Sequence, residues 1–124
     1  MDGSTGAVRL LGHTRADALE VGEFVGSGNA EFEDQPILDG SSGDIALGAI
    51  AILATAAALK GLVAYIIARY PPKAHTTLVF ERVRDGETSR ITIKTEQIDG
   101  DLATGLAEKL GSFAGIPVAE ILGA

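Results

Sequence analysis

A chain of 124 residues with a net charge of −7 and no cysteine fits one domain, and it excludes disulfides, thiolate zinc sites and a cysteine nucleophile. Hydrophobic residues make up 46% of it and aromatics only 5%, so it folds around a core built from small aliphatic side chains. The acidity is concentrated in residues 1–40, where eight acids face only Arg9 and Arg15, and a broad nucleic-acid surface, which needs clustered Lys and Arg, is not expected.

The start, MDGSTGAVRL, has no basic segment followed by an apolar one, so no signal peptide is expected, and the lack of cysteine suits a cytoplasmic setting. Residues 7–14 (AVRLLGHT) read as a short strand. Residues 15–25 (RADALEVGEFV) fit about two helical turns, with a strand over 19–25 as the alternative because Gly22 weakens a helix. Residues 26–44 are rich in Gly, Ser, Asp and Glu and read as an acidic flexible loop with a brief strand at 30–33. Residues 1–44 thus form a strand region and loop, 45–113 a helix-hairpin-helix core, and 114–124 an apolar tail.

The most apolar stretch follows, IALGAIAILATAAALKGLVAYIIARY over residues 45–70. It predicts one long helix over about 44–70, capped by Asp44 or Ser42, stopped by Pro71 and Pro72, with Arg69 suiting the dipole of its last turn. From Ile45 to Ala68 a single charge, Lys60, interrupts a run that would be roughly 36 Å long as a helix, enough to span a bilayer. Its ten larger apolar residues favour insertion by roughly 3 to 6 kcal/mol together, and a central lysine opposes it by about 2.5–3.5 kcal/mol. Ile45, Ile52, Leu59 and Ile66 recur every seven residues as a seam that lipid contact does not require. The preferred reading is therefore an assembly helix in water, with Lys60 at its wet rim. A single-pass membrane span over 45–68 is the alternative, and a wholly internal core helix the third.

The clearest local signal is TTLVFERVRDGETSRITIKTE, residues 76–96. Asp85-Gly86 suits a two-residue type I′ turn, which predicts a hairpin 76–83/88–95. Val83 then faces Thr88, Glu81 faces Arg90 and Val79 faces Thr92, while Leu78, Phe80, Ile91 and Ile93 form the apolar face that packs on the long helix. Residues 99–113 contain a short helix over about 101–111, capped by Asp99 or Asp101, with a Leu102–Leu106–Leu110 stripe and Gly111 as its C-terminal glycine. The expected class is α+β, a small single domain.

No motif points to chemistry. Neither His13 nor His75 has a metal-ligand partner at helical spacing. GSGNAE, residues 26–31, lacks the third glycine and the lysine of phosphate-binding loops. The clusters Glu31/Glu33/Asp34 and Asp99/Asp101 offer too few oxygens for a calcium loop. No catalytic residue, cofactor, metal or small-molecule substrate is expected, and the predicted partner is a protein or a second copy.

The order of an N-terminal strand, an Ala-rich apolar helix ending in Arg, a V-R-D-G hairpin turn and a C-terminal helix resembles the effector-associated constant component proteins of bacterial conflict systems. The resemblance lies in residues 45–95, above all in IALGAIAILATAAALKGLVAYIIARY and VFERVRDGETSRITI. The Trp usual near the end of that helix is missing, with Tyr65 or Tyr70 in its place, and residues 1–40 match poorly. The resemblance implies a non-enzymatic accessory protein that acts beside effectors through protein contacts.

Overall fold

The computed structural model describes residues 6–34, 48–70 and 75–124. They form β1 (Ala7–His13), α1 (Arg15–Val25), β2 (Ala30–Asp34), β3 (Gly48–Leu53), α2 (Ala56–Arg69), β4 (Thr77–Arg84), β5 (Glu87–Lys94), α3 (Leu102–Ala114) and α4 (Val118–Gly123). The fold is α+β. One antiparallel sheet of order β2-β3-β1-β4-β5 carries the helices on one face. Strand side chains alternate between faces. Val8, Leu10, Ile50, Ile52, Leu78, Phe80 and Ile93 turn to the helices and are buried; Arg9, Leu11, Ala51 and Glu81 turn to the open face.

The single helix expected over about 44–70 is not formed. Residues 48–53 are a strand, and the helix starts only at Ala56. Two periods meet in this run. GAIAIL alternates, with Ile50 and Ile52 on one face, as a strand requires. AAALKGLVAYIIAR is rich in strong helix formers. Thr55 separates them. Its backbone is extended, and its hydroxyl accepts from the Ala58 amide at 3.2 Å, which satisfies an orphan donor of the first turn. The caps expected at Ser42 and Asp44, together with Ile45, Pro71 and Pro72, lie outside the described residues.

The first third of the chain belongs to the core. β1 is the central strand, and α1 is a helix, closed by a capping box in which Thr14 and Asp17 exchange two 3.1 Å bonds. The expected strand at 30–33 is β2, extending to Asp34. At the other end α3 runs to Ala114 and is closed by Gly115 in the left-handed region, so Gly111 is an interior residue rather than the C-terminal glycine. The tail is also structured: α4 buries Ile121 completely.

Ile52 separates the two readings of the seam. Within a core strand, Ile52→Ala should cost about 2–5 kcal/mol in urea unfolding and leave the mass on size exclusion unchanged. An assembly seam would instead lose mass with little loss of stability.

Candidate functional site

The hairpin closes through Asp85 and Gly86, both with positive φ (53° and 80°), as a type I′ turn requires. Its register pairs Leu78 with Ile93, Val79 with Thr92, Phe80 with Ile91, Glu81 with Arg90 and Val83 with Thr88. In a two-residue hairpin the pair flanking the turn, Arg84 and Glu87, is hydrogen-bonded, and bonded and non-bonded pairs then alternate. The 2.9 Å bond from the Thr95 amide to the Thr76 carbonyl keeps the same alternation beyond the strand end. By this count Thr88, Arg90, Thr92 and Lys94 direct their backbone N–H and C=O away from β4. Among the described residues β5 is an edge strand, so these groups face outward.

Beside that edge lies a groove. α3 packs on α2 and α4 and stands off β5. Two contacts set the gap. Ile98 presses against α3 at Gly105, where an added Cβ would overlap the Ile98 Cγ2 and push that side chain aside. At the other end Arg82 reaches from β4 and its Nη1 donates to the Phe113 carbonyl at 2.7 Å, placing a cation at the negative end of α3. The groove encloses about 880 Å³, floored by Ile91, Ile93, Ile98 and Phe113 and rimmed by Asp99, Glu108 and Lys109. An apolar floor, a polar rim and an unpaired strand edge are the elements of a peptide-binding groove.

The residues singled out in the sequence fall elsewhere. Ile52, Leu59 and Ile66 are completely buried, so they form no surface seam in this fold. Lys60 is exposed, and its ammonium donates to the main-chain oxygens of Leu122 (3.2 Å) and Ala124 (2.5 Å), tying α2 to α4. Among the described residues no helix is long and apolar enough to cross a membrane. Of the hairpin residues, Leu78, Phe80 and Ile93 are buried, while Ile91 is half-buried and opens into the groove. Asp101 caps α3 by accepting from the Thr104 amide and hydroxyl, and those bonds hold its carboxyl below the ordinary value. Among the described residues no group of three His, Asp or Glu side chains is arranged to hold a metal. His75 is exposed.

His13 is the exception to this plain surface chemistry. Gly12, at φ 74°, makes a bulge in β1 that turns His13 from the open face to the helix side, where it is buried. Its Nδ1 lies 2.9 Å from the Leu11 carbonyl, which can only accept, so Nδ1 bears the proton. In the neutral ring Nε2 then accepts from the Tyr70 hydroxyl at 3.1 Å. Tyr65 meets Tyr70 edge-on at 6.4 Å, and among the described residues its own buried hydroxyl has no hydrogen-bond partner. Burial pushes both phenols above their ordinary value of 10.0; the Arg69 guanidinium opposes the rise at each. With both ring nitrogens of His13 engaged, the cluster pins the end of α2 to β1.

This cluster makes a paired prediction. Tyr65→Phe removes a desolvated, unpaired hydroxyl and should be neutral or stabilising, whereas Tyr70→Phe strands the His13 Nε2 and should cost about 1–3 kcal/mol. Raised phenol values mean that the unfolded chain loses its phenolic protons first. Stability should therefore hold below about pH 10 and fall as the pH rises further, and Tyr65→Phe should flatten that fall in unfolding curves taken across the alkaline range.

Among the residues that line the groove without having stood out in the sequence are Arg82, Ile98 and Phe113. A signal of the groove in the sequence is Gly105, a helix-weakening residue in an otherwise regular apolar stripe. The chain matches no protein-family model, no curated protein and no solved structure.

Proposed function

We propose that the protein is a non-enzymatic accessory component of the cytoplasm that takes an extended segment of a protein partner along β5, as a sixth strand of the sheet. The observation that supports this most directly is the juxtaposition of an outward-facing edge with a groove of about 880 Å³ running beside it. Backbone groups of Thr88, Arg90, Thr92 and Lys94 supply affinity in this mode, and the floor of Ile91, Ile93 and Ile98 receives alternate side chains of the segment. On the open face β5 presents two cations, Arg90 and Lys94, at the edge. An incoming strand that carries acids on that face and apolar residues on the other is complementary to both sides. The resemblance of residues 45–95 to effector-associated constant components agrees with such a role, in which the partner is an effector or a protein acting with one. The assembly surface is thereby moved from the apolar helix, whose seam is buried, to the sheet edge.

Panning a displayed library of random decapeptides on the immobilised chain should return sequences with acids at alternate positions. Thr92→Pro removes an outward N–H at a site where an edge strand tolerates proline, so it should abolish their capture while leaving the circular dichroism spectrum unchanged. His75→Ala should leave capture intact. Selected peptides that bind the Thr92→Pro chain as well as the original would refute the reading.

A further inference from the structure

The chain itself contains a strand of the chemistry that β5 would accept. β2, AEFED over Ala30–Asp34, is the opposite edge of the same sheet. It alternates in the required way. Glu31 and Glu33 lie on the open face, paired with Ala51 and Ala49 of β3, while Ala30 and Phe32 turn to the helix side with Ile52 and Ile50. Direction also matches. β2 is antiparallel to β3, which is antiparallel to β1; β5 is antiparallel to β4, which is antiparallel to β1. Both edges therefore run the same way as β1. A second copy, moved sideways in the plane of the sheet with its helices on the same side, brings its β2 parallel to β5.

We infer that the occupant of the β5 edge is β2 of a second copy, and that the protein self-associates head to tail through this parallel pairing. The inference rests on the reading of β5 as a strand-accepting edge. Setting Glu31 beside Thr92 places Glu33 beside Lys94 on the open face. The same register sets Ala30 by Ile91 and Phe32 by Ile93 at the groove floor. The competing pairing of β5 with β5 of another copy, related by a two-fold axis, brings Arg90 and Lys94 against each other or against themselves, and like charges oppose it. A head-to-tail contact does not close on itself, so it propagates as a ring or an open series rather than stopping at a dimer.

A charge exchange tests this. One variant carries Glu31→Lys and Glu33→Lys, and the other Arg90→Glu and Lys94→Glu. The changes break two ion pairs, the half-buried Arg9–Glu33 and Glu81–Arg90, in which only the arginine is exposed, so circular dichroism and urea unfolding verify that both variants fold. In sedimentation velocity the original chain should show a series heavier than the monomer that grows with concentration. Each variant alone sets like charges across the contact and should associate at least about tenfold more weakly. Mixed in equal amounts, the two should assemble again, because the lysines of one now meet the glutamates of the other. An original chain that stays monomeric, or a mixture that fails to recover, overturns the inference. The decapeptides selected on β5 separate this failure from that of the parent reading. If they still bind an exclusively monomeric chain and Thr92→Pro still abolishes that binding, only self-association falls; if they do not, the edge itself is not a binding site.

Discussion

The hydroxyl of Thr55 and the amide of Ala58 make the hydrogen bond on which the layering of this protein turns. Upstream of it the chain is extended and lies in the sheet; downstream it is helical and lies over the same sheet. Because the apolar run is divided there, Ile50 and Ile52 face Leu59, Leu62 and Ile66 from opposite layers, and each buries the other. A fully buried Leu or Ile contributes about 1.5–3 kcal/mol relative to an exposed one, and because conformational entropy offsets most of such gains and leaves a net stability of only about 5–15 kcal/mol, the loss of any one of these five is felt. An undivided helix would have left half of that surface uncovered, which is why an undivided helix seemed to call for a lipid or an oligomer.

The hairpin was the most legible element, because its signal is local. Asp85-Gly86 specifies the turn, and the turn specifies every pair from Arg84↔Glu87 to Leu78↔Ile93. α3 was legible from its capping residue and apolar stripe, whereas α1 was legible only as two helical turns with a strand over 19–25 as the alternative, because its Thr14–Asp17 capping box did not stand out and Gly22 weakened the helix. β3 was not. It is a short apolar run with no Gly or Pro between it and α2, and strand and helix cannot be told apart by periodicity in such a run. The seven-residue spacing of Ile52, Leu59 and Ile66 added to the confusion, since one member lies on a strand and two on a helix, and all three still point into one core. The signal that would have divided the run is Thr55 followed by three alanines, a cap before strong helix formers.

The groove is legible only in part for a different reason. Its width depends on contacts between residues distant in the fold or the chain: Arg82 with Phe113, 31 residues apart, and Ile98 against Gly105. No local pattern records such a pairing. What the sequence does record is a glycine within the α3 stripe, and an edge strand whose solvent side alternates Thr88, Arg90, Thr92 and Lys94.

The two kinds of surface on this molecule differ in what they offer a partner. The outer side of α2 presents Ala57, Ala64 and Ala68 around Lys60. Alanines bury little area, so at about 25 cal/mol per Å² a partner gains little there, and Lys60 is already held by the main chain of α4. The β5 edge offers directional backbone groups, whose pairing is lost outright if the register slips, and a floor of larger side chains beside them. Arg90 and Lys94 serve twice on this edge: they discourage β5 from pairing with its own kind, and they favour a strand of opposite charge. The acidic first third, which made a broad nucleic-acid surface unexpected, supplies such a strand in Glu31 and Glu33. The uneven charge of the chain thereby becomes a difference between the two edges of one sheet, one acidic and one basic, and it is that difference, rather than the apolar helix, that gives association a direction.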